Sequence, residues 1–121
     1  MTRVQAAWRL DHAAITVPDL DQAVAFFVAA TEAHELYRRE LRPGTSPQEM
    51  RTNYGAHPDA GFRLAKLDIA GAPLEIFEYT APGQSRRQPR NYDVGGSHLG
   101  FLVDDIDAAV EIVQRQPGAQ V

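Results

Sequence analysis

The chain carries an internal repeat. At an offset of 86 residues, set by His12 and His98, the segment His12-Ala-Ala-Ile-Thr-Val17-Pro-Asp19-Leu-Asp21-Gln-Ala23-Val24 lies over His98-Leu-Gly-Phe-Leu-Val103-Asp-Asp105-Ile-Asp107-Ala-Ala109-Val110. Six of these thirteen aligned positions are identical: the histidine, the valine, both aspartates and the closing Ala-Val pair. A repeat of this kind means that one supersecondary unit is used twice, which removes most alternative folds from consideration.

Each copy reads as a strand, a cap and a helix. Leu10 to Val17 alternates, with Asp11, Ala13, Ile15 and Val17 on one side and His12, Ala14 and Thr16 on the other. Pro18-Asp19 ends the strand. Asp19 is placed to accept hydrogen bonds from the first-turn amides, and Gln22 to reach back as in a capping box. In the helix that follows, Ala23, Phe26, Phe27 and Ala30 share a stripe with Val24 beside it, so it should pack on the sheet face away from His12. The second copy predicts a strand at His98, a cap at Asp105, a helix over Ile106 to Val113 and a stop at Pro117-Gly118.

Between the copies, Ala33 to Leu41 reads as a second strand, although its Glu and Arg residues make an extended helix a rival for the first half. Arg42 to Ala60 reads as a long loop with a short helix at Pro47 to Arg51, and loops of this length commonly cover sites. Gly61 to Ile69 and Leu74 to Tyr79 form a hairpin around Ala70-Gly71-Ala72-Pro73. Ala81 to Gly96 is irregular and basic, with Arg86, Arg87, Arg90 and Tyr92.

Composition narrows the chemistry. At 121 residues the chain holds one core. Twelve basic against sixteen acidic residues give a net charge of -4, which argues against nucleic acid as a partner. With no cysteine, thiolate catalysis, iron-sulfur clusters and Cys-ligated zinc are excluded, and any metal must use nitrogen and oxygen. No apolar leader and no stretch near eighteen apolar residues occurs, so no membrane association and a cytoplasmic location are expected.

The segments Leu10-Asp-His12-Ala-Ala-Ile-Thr-Val17-Pro-Asp19-Leu20, Leu74-Glu75-Ile76-Phe77-Glu78-Tyr79 and Gly96-Ser-His98-Leu-Gly-Phe-Leu-Val103-Asp-Asp105-Ile-Asp107 resemble the vicinal-oxygen-chelate superfamily. That group includes glyoxalase I, methylmalonyl-CoA epimerase, extradiol dioxygenases and fosfomycin or bleomycin resistance proteins. The resemblance implies an α+β fold of βαβββ modules that form a half-open barrel around a divalent metal. Here residues 9–80 would form the first module, 81–96 a linker and 97–121 an incomplete second module of one strand and one helix. Pro117-Gly118-Ala119 reads as a link into a following strand, so the protein is expected to continue beyond Val121; alternatively, a homodimer would supply part of the missing wall.

By the same resemblance the metal ligands are His12, Glu75 and His98, with a fourth on a strand that this sequence does not contain. Two His and one carboxylate form a facial set suited to Zn, Ni, Mn, Co or Fe, with coordination positions left for a substrate. Period-two alternation supports Glu75 over Glu78, because Leu74 and Ile76 should face the helix layer and leave Glu75, Phe77 and Tyr79 facing the cavity. The implied activity is that of a divalent-metal-dependent lyase, isomerase or epimerase acting on a small oxygenated substrate through a stabilised enolate. An Fe(II) extradiol-type dioxygenase and a metal-free drug-binding protein of the bleomycin-resistance type are the alternatives. No residue is assigned as catalytic acid or base. His34 and His57 are expected at the surface, Arg86, Arg87 and Arg90 in a solvated linker, Tyr54 and Tyr92 near a pocket, and Trp8 against the first strand. Asp19, Asp21, Asp105 and Asp107 are read as helix caps rather than a metal cluster.

Overall fold

The computed structural model describes residues 3–121. Its elements follow the order β1 (Ala13–Thr16), α1 (Leu20–Thr31), β2 (His34–Leu41), α2 (Pro47–Tyr54), β3 (Gly61–Ile69), β4 (Ala72–Thr80) and α3 (Ile106–Gln114). The four strands form one sheet in the order β1-β4-β3-β2, with β1 parallel to β4 and the other pairs antiparallel. This is an α+β fold with one βαβββ module, as expected, in which α2 bridges β2 and β3.

The register divides the sheet into two faces. On one, Ala65, Leu67, Leu74 and Ile76 meet Leu20, Val24 and Phe27 of α1, with Ile15 and Val17 packed at the side. The buried stripe of α1 is therefore Leu20, Val24 and Phe27 at i, i+4 and i+7, while Ala23 and Phe26 pack at its margin. On the other face, Met50 of α2 is fully buried with Ala60, Phe62, Leu64 and Phe77. Tyr54, one turn beyond Met50, sets its ring edge-on to Phe62 with centroids 4.8 Å apart. That pair explains why α2 continues to Tyr54, past the predicted stop at Arg51.

Local chemistry fixes the ends. Asp19 caps α1 by accepting from the Gln22 amide at 3.0 Å, and Asp105 caps α3 from the Ala108 amide at 3.0 Å. The Gln22 side chain, predicted to reach back to Asp19, instead stands beside Gly118 after α3. A polar β2 is a strand throughout because it is a sheet edge, where charged side chains discourage further pairing.

Two expectations are corrected. Among the described residues, 97–103 form no strand, although His98 aligns with the β1 segment. A strand needs a ladder partner, and none of the four described strands pairs with this segment; Phe101 and Leu102 are left exposed. Second, β1 begins at Ala13 rather than Leu10, and Trp8 is 91% exposed instead of packed on it. Ala13 pairs with Leu74, and the preceding partner positions are Pro73, which lacks an N–H, and the hairpin turn, so the ladder runs out.

The β3–β4 turn places Ala70 at φ 51° and Gly71 at φ 89°, with the Gly71 amide donating to Asp68 at 2.8 Å. Both positions require the left-handed region, which alanine tolerates poorly. Ala70→Asn should raise stability in urea unfolding by about 0.5–1 kcal/mol; an unchanged or lower midpoint would contradict this. On the helix side, Asp21 accepts from Arg38 and from Arg63 (3.1 Å), which holds its carboxyl below the ordinary value of 3.8. Its stabilising effect is present above pH 3.8 and fades as pH falls through the lower folded-state value. Thermal midpoints of the wild type and Asp21→Asn should therefore differ at neutral pH and converge in strong acid, whereas a gap independent of pH would show that the ion pairs contribute nothing.

Candidate functional site

The sheet face opposite α1 opens into a groove of about 500 Å³. Alternation along each strand fills it. β1 and the residue before it present His12 and Ala14, β4 presents Glu75, Phe77 and Tyr79, β3 presents Leu64, and β2 presents Tyr37 and Arg39. Asn53 and Tyr54 of α2 close one side. Ala14 pairs with Glu75 and Lys66 lies opposite Glu75 on β3, so the row through Glu75 is polar, while the neighbouring row of Leu64 and Phe77 is apolar.

His12 and Glu75 meet at the β1 end. The His12 Nε2 lies 3.2 Å from Glu75 Oε2, and its Nδ1 lies 2.7 Å from Asp11 Oδ2. Glu75 is 15% exposed and His12 36%. An Nδ1 proton donated to Asp11 leaves Nε2 as an electron-rich atom close to a carboxylate oxygen, and two such atoms this near call for a neighbouring positive charge. A proton or a divalent cation meets that need. Two ligands each about 2.1 Å from one cation stand about 3.0–3.4 Å apart at right-angled or tetrahedral geometry, which is the spacing of this pair. Asp11 in turn has the position of a carboxylate that orients a ligating imidazole. Its own carboxyl is held below its ordinary value of 3.8, first by the His12 hydrogen bond and then by the Lys66 charge.

His98 is not brought into this pair. Among the described residues no three His, Asp or Glu side chains come together as a set that could hold a metal ion. The chain just after His98 nevertheless runs beside the same end of β1: Leu99 to Leu102 line a mostly apolar cleft of about 370 Å³ together with Leu10 to Ala13 and the β3–β4 turn. Glu78 lies on the opposite face, where its Oε2 accepts from the Leu20 amide at 2.8 Å and from Arg63 at 3.3 Å. It caps α1 and leaves Glu75 as the carboxylate of the groove.

Other predicted residues find structural places. Asp19 and Asp105 are caps, Asp21 belongs to the arginine cluster, and Asp107 stands in the first turn of α3. His34 opens the edge strand β2, and His57 Nδ1 accepts from the Asp59 amide at 3.0 Å in the turn before β3. Arg90 pairs with Asp93 and stacks over Tyr92, which is 77% exposed and lies outside the groove. Tyr54 does line it. Sequence reasoning missed Asp11, Tyr37, Arg39, Asn53 and Tyr79. Tyr79 was placed on the cavity face by alternation but given no role; Arg39 was hidden because period two has no anchor in a strand whose residues are nearly all polar. Burial raises the Tyr79 phenol above its ordinary value of 10, with Tyr54 and Glu75 adding to the effect, so it stays a hydroxyl donor at neutral pH.

Comparison with known proteins agrees with this architecture. A 2-epi-5-epi-valiolone epimerase from Actinomyces sp is 41% identical over 119 residues, covering 98% of this chain and 64% of the relative, so the chain spans just under two thirds of that protein's length. Among solved structures, a glyoxalase family protein from Bacillus cereus superposes with a TM-score of 0.67 at 20% identity, over 93% of this chain and 74% of the other. A genomically encoded fosfomycin resistance protein from Listeria monocytogenes, complexed with Mn(II) and sulfate ion, gives a TM-score of 0.59 at 20% identity, over 90% of this chain and 71% of the other. The family model for the Glyoxalase/Bleomycin resistance protein/Dioxygenase superfamily matches residues 9–118, and the chain belongs to that superfamily.

Proposed function

We propose that the protein is a divalent-metal-dependent epimerase that inverts a carbon next to a carbonyl in a small oxygenated substrate. The observation that carries this reading is the His12–Glu75 pair, with Nε2 and Oε2 3.2 Å apart and Asp11 bonded to the far side of the imidazole. The Actinomyces relative, an epimerase by name, supports the reaction class and suggests a polyhydroxylated cyclic ketone as substrate. His12 and Glu75 would hold the cation, and His98 would join them once the segment after it is paired as a strand. When bound, the cation supplies the electron withdrawal that makes a C–H beside a coordinated carbonyl acidic.

The chain's own residues do the rest. Asp11 holds the His12 imidazole in place at the groove through its Nδ1. Leu64 and Phe77 form a dry floor against which a ring can lie, and excluding water there strengthens every polar contact made above it. Net epimerisation moves one proton off the carbon and returns one to the opposite face, so atoms and charge balance without a further reactant.

Calorimetric titration with Mn(II) separates the two glutamates. His12→Ala and Glu75→Gln should abolish measurable binding, and Asp11→Asn should weaken it about 10–100-fold. Glu78→Gln should leave binding intact but lower unfolding stability by about 1 kcal/mol, because it removes a helix cap. Equal Mn(II) affinity in all four variants would contradict the assignment. Mn(II)-loaded protein incubated with 2-epi-5-epi-valiolone in deuterated water should introduce deuterium next to the carbonyl, and a substrate that keeps its protons would refute the epimerase reading.

A further inference from the structure

We infer that Arg39 and Tyr54 form a specificity device that positions the distal hydroxyl groups of a neutral, polyhydroxylated ring; this rests on the reading that the ring's carbonyl end sits at His12 and Glu75. Arg39 projects from β2 into the groove, and its guanidinium is held at both ends by α2: one Nη donates to Tyr54 Oη at 2.8 Å and the other to Glu49 at 2.7 Å. Five N–H groups minus these two leaves three to donate elsewhere, and Tyr54, which accepts from Arg39, keeps its own O–H free to donate.

Three features select the ligand. Glu49 neutralises the guanidinium, so the pair offers directed hydrogen bonds with little net charge, which favours hydroxyl and carbonyl oxygens over a dianionic phosphate. The floor beside the arginine is apolar: Leu64 and Phe77 pair across β3 and β4 in the row that ends at Arg39 and line the groove. Such a surface accepts the C–H face of a saturated ring while its hydroxyls point to a polar rim. Third, Arg39 pairs across to Leu64 and Leu64 to Phe77, so the arginine stands two strands, about 10 Å, from the strand bearing Glu75. Glu75 lies two residues further along β4, so its backbone stands about 12 Å from that of Arg39, and the two long side chains reaching inward shorten this to an interval that a hydroxylated ring can bridge.

The test uses the intact protein with two probes, 2-epi-5-epi-valiolone for turnover and the unreactive cyclitol myo-inositol for binding. Arg39→Met should raise KM for the ketone about tenfold with a smaller change in kcat, Tyr54→Phe should raise it several-fold, and Arg39→Lys should recover part of the loss. Mn(II) affinity should not change in any of them. An unaltered KM in Arg39→Met, or a parallel fall in Mn(II) affinity that marks a merely structural role, would overturn the inference. If the wild type does not turn the ketone over, the epimerase reading fails on its own. Myo-inositol still decides the specificity device by NMR, since a shift of the Arg39 Nε–H signal supports it and an unmoved signal refutes it.

Discussion

The parallel pairing of β1 with β4 is the constraint on which the site depends. It sets Ala14 beside Glu75 and Ile15 beside Ile76, and it is extended by the Val17 amide bonding to the Phe77 carbonyl at 2.8 Å. Without it, His12 and Glu75 are distant in sequence and have no reason to meet. A parallel neighbour needs a crossover, and α1 followed by β2 and β3 supplies it, burying Leu20, Val24 and Phe27 on the far face. The packing of α1 therefore positions the groove on the other side of the sheet.

Charge is divided between the two faces with the same economy. On the helix side, Asp21 and Glu78 are taken up by Arg38, Arg63 and the open amide of α1, and serve structure. In the groove, Glu75 faces an imidazole whose other nitrogen is already committed to Asp11, and Arg39 is neutralised by Glu49. One residue of alternation separates the two carboxylate roles on β4, since a single step along a strand exchanges faces. The groove thus has a histidine–carboxylate end and an arginine end, joined by the apolar row of Leu64 and Phe77.

Much of this was legible in the sequence, and the reasons are local. Asp19 and Asp105 announced both helix starts through their short acceptor side chains, and the Gly61 to Tyr79 hairpin was readable from its apolar runs and Gly-containing turn. Glu75 was separable from Glu78 because Leu74 and Ile76 fix the phase of the strand. What the sequence did not disclose depends on partners. The strand expected at His98 has no ladder to join, Trp8 has no core to meet, and the Gln22 side chain lies beside Gly118 instead of closing its box. Arg39 belongs to the same class: its role comes from the length of α2, which is set by Met50 and Tyr54 finding the aromatic cluster, a tertiary event that a short polar helix does not reveal.

The proposed epimerase chemistry requires one cation at His12 and Glu75, joined by His98 once its segment is paired as a strand. Paramagnetic NMR with substoichiometric Mn(II) tests this directly, because broadening falls steeply with distance from the ion. The imidazole signals of His12 and His98 should disappear first, while those of His34 and His57 persist. Uniform broadening of all four histidines, or the survival of the His12 and His98 signals, would contradict it.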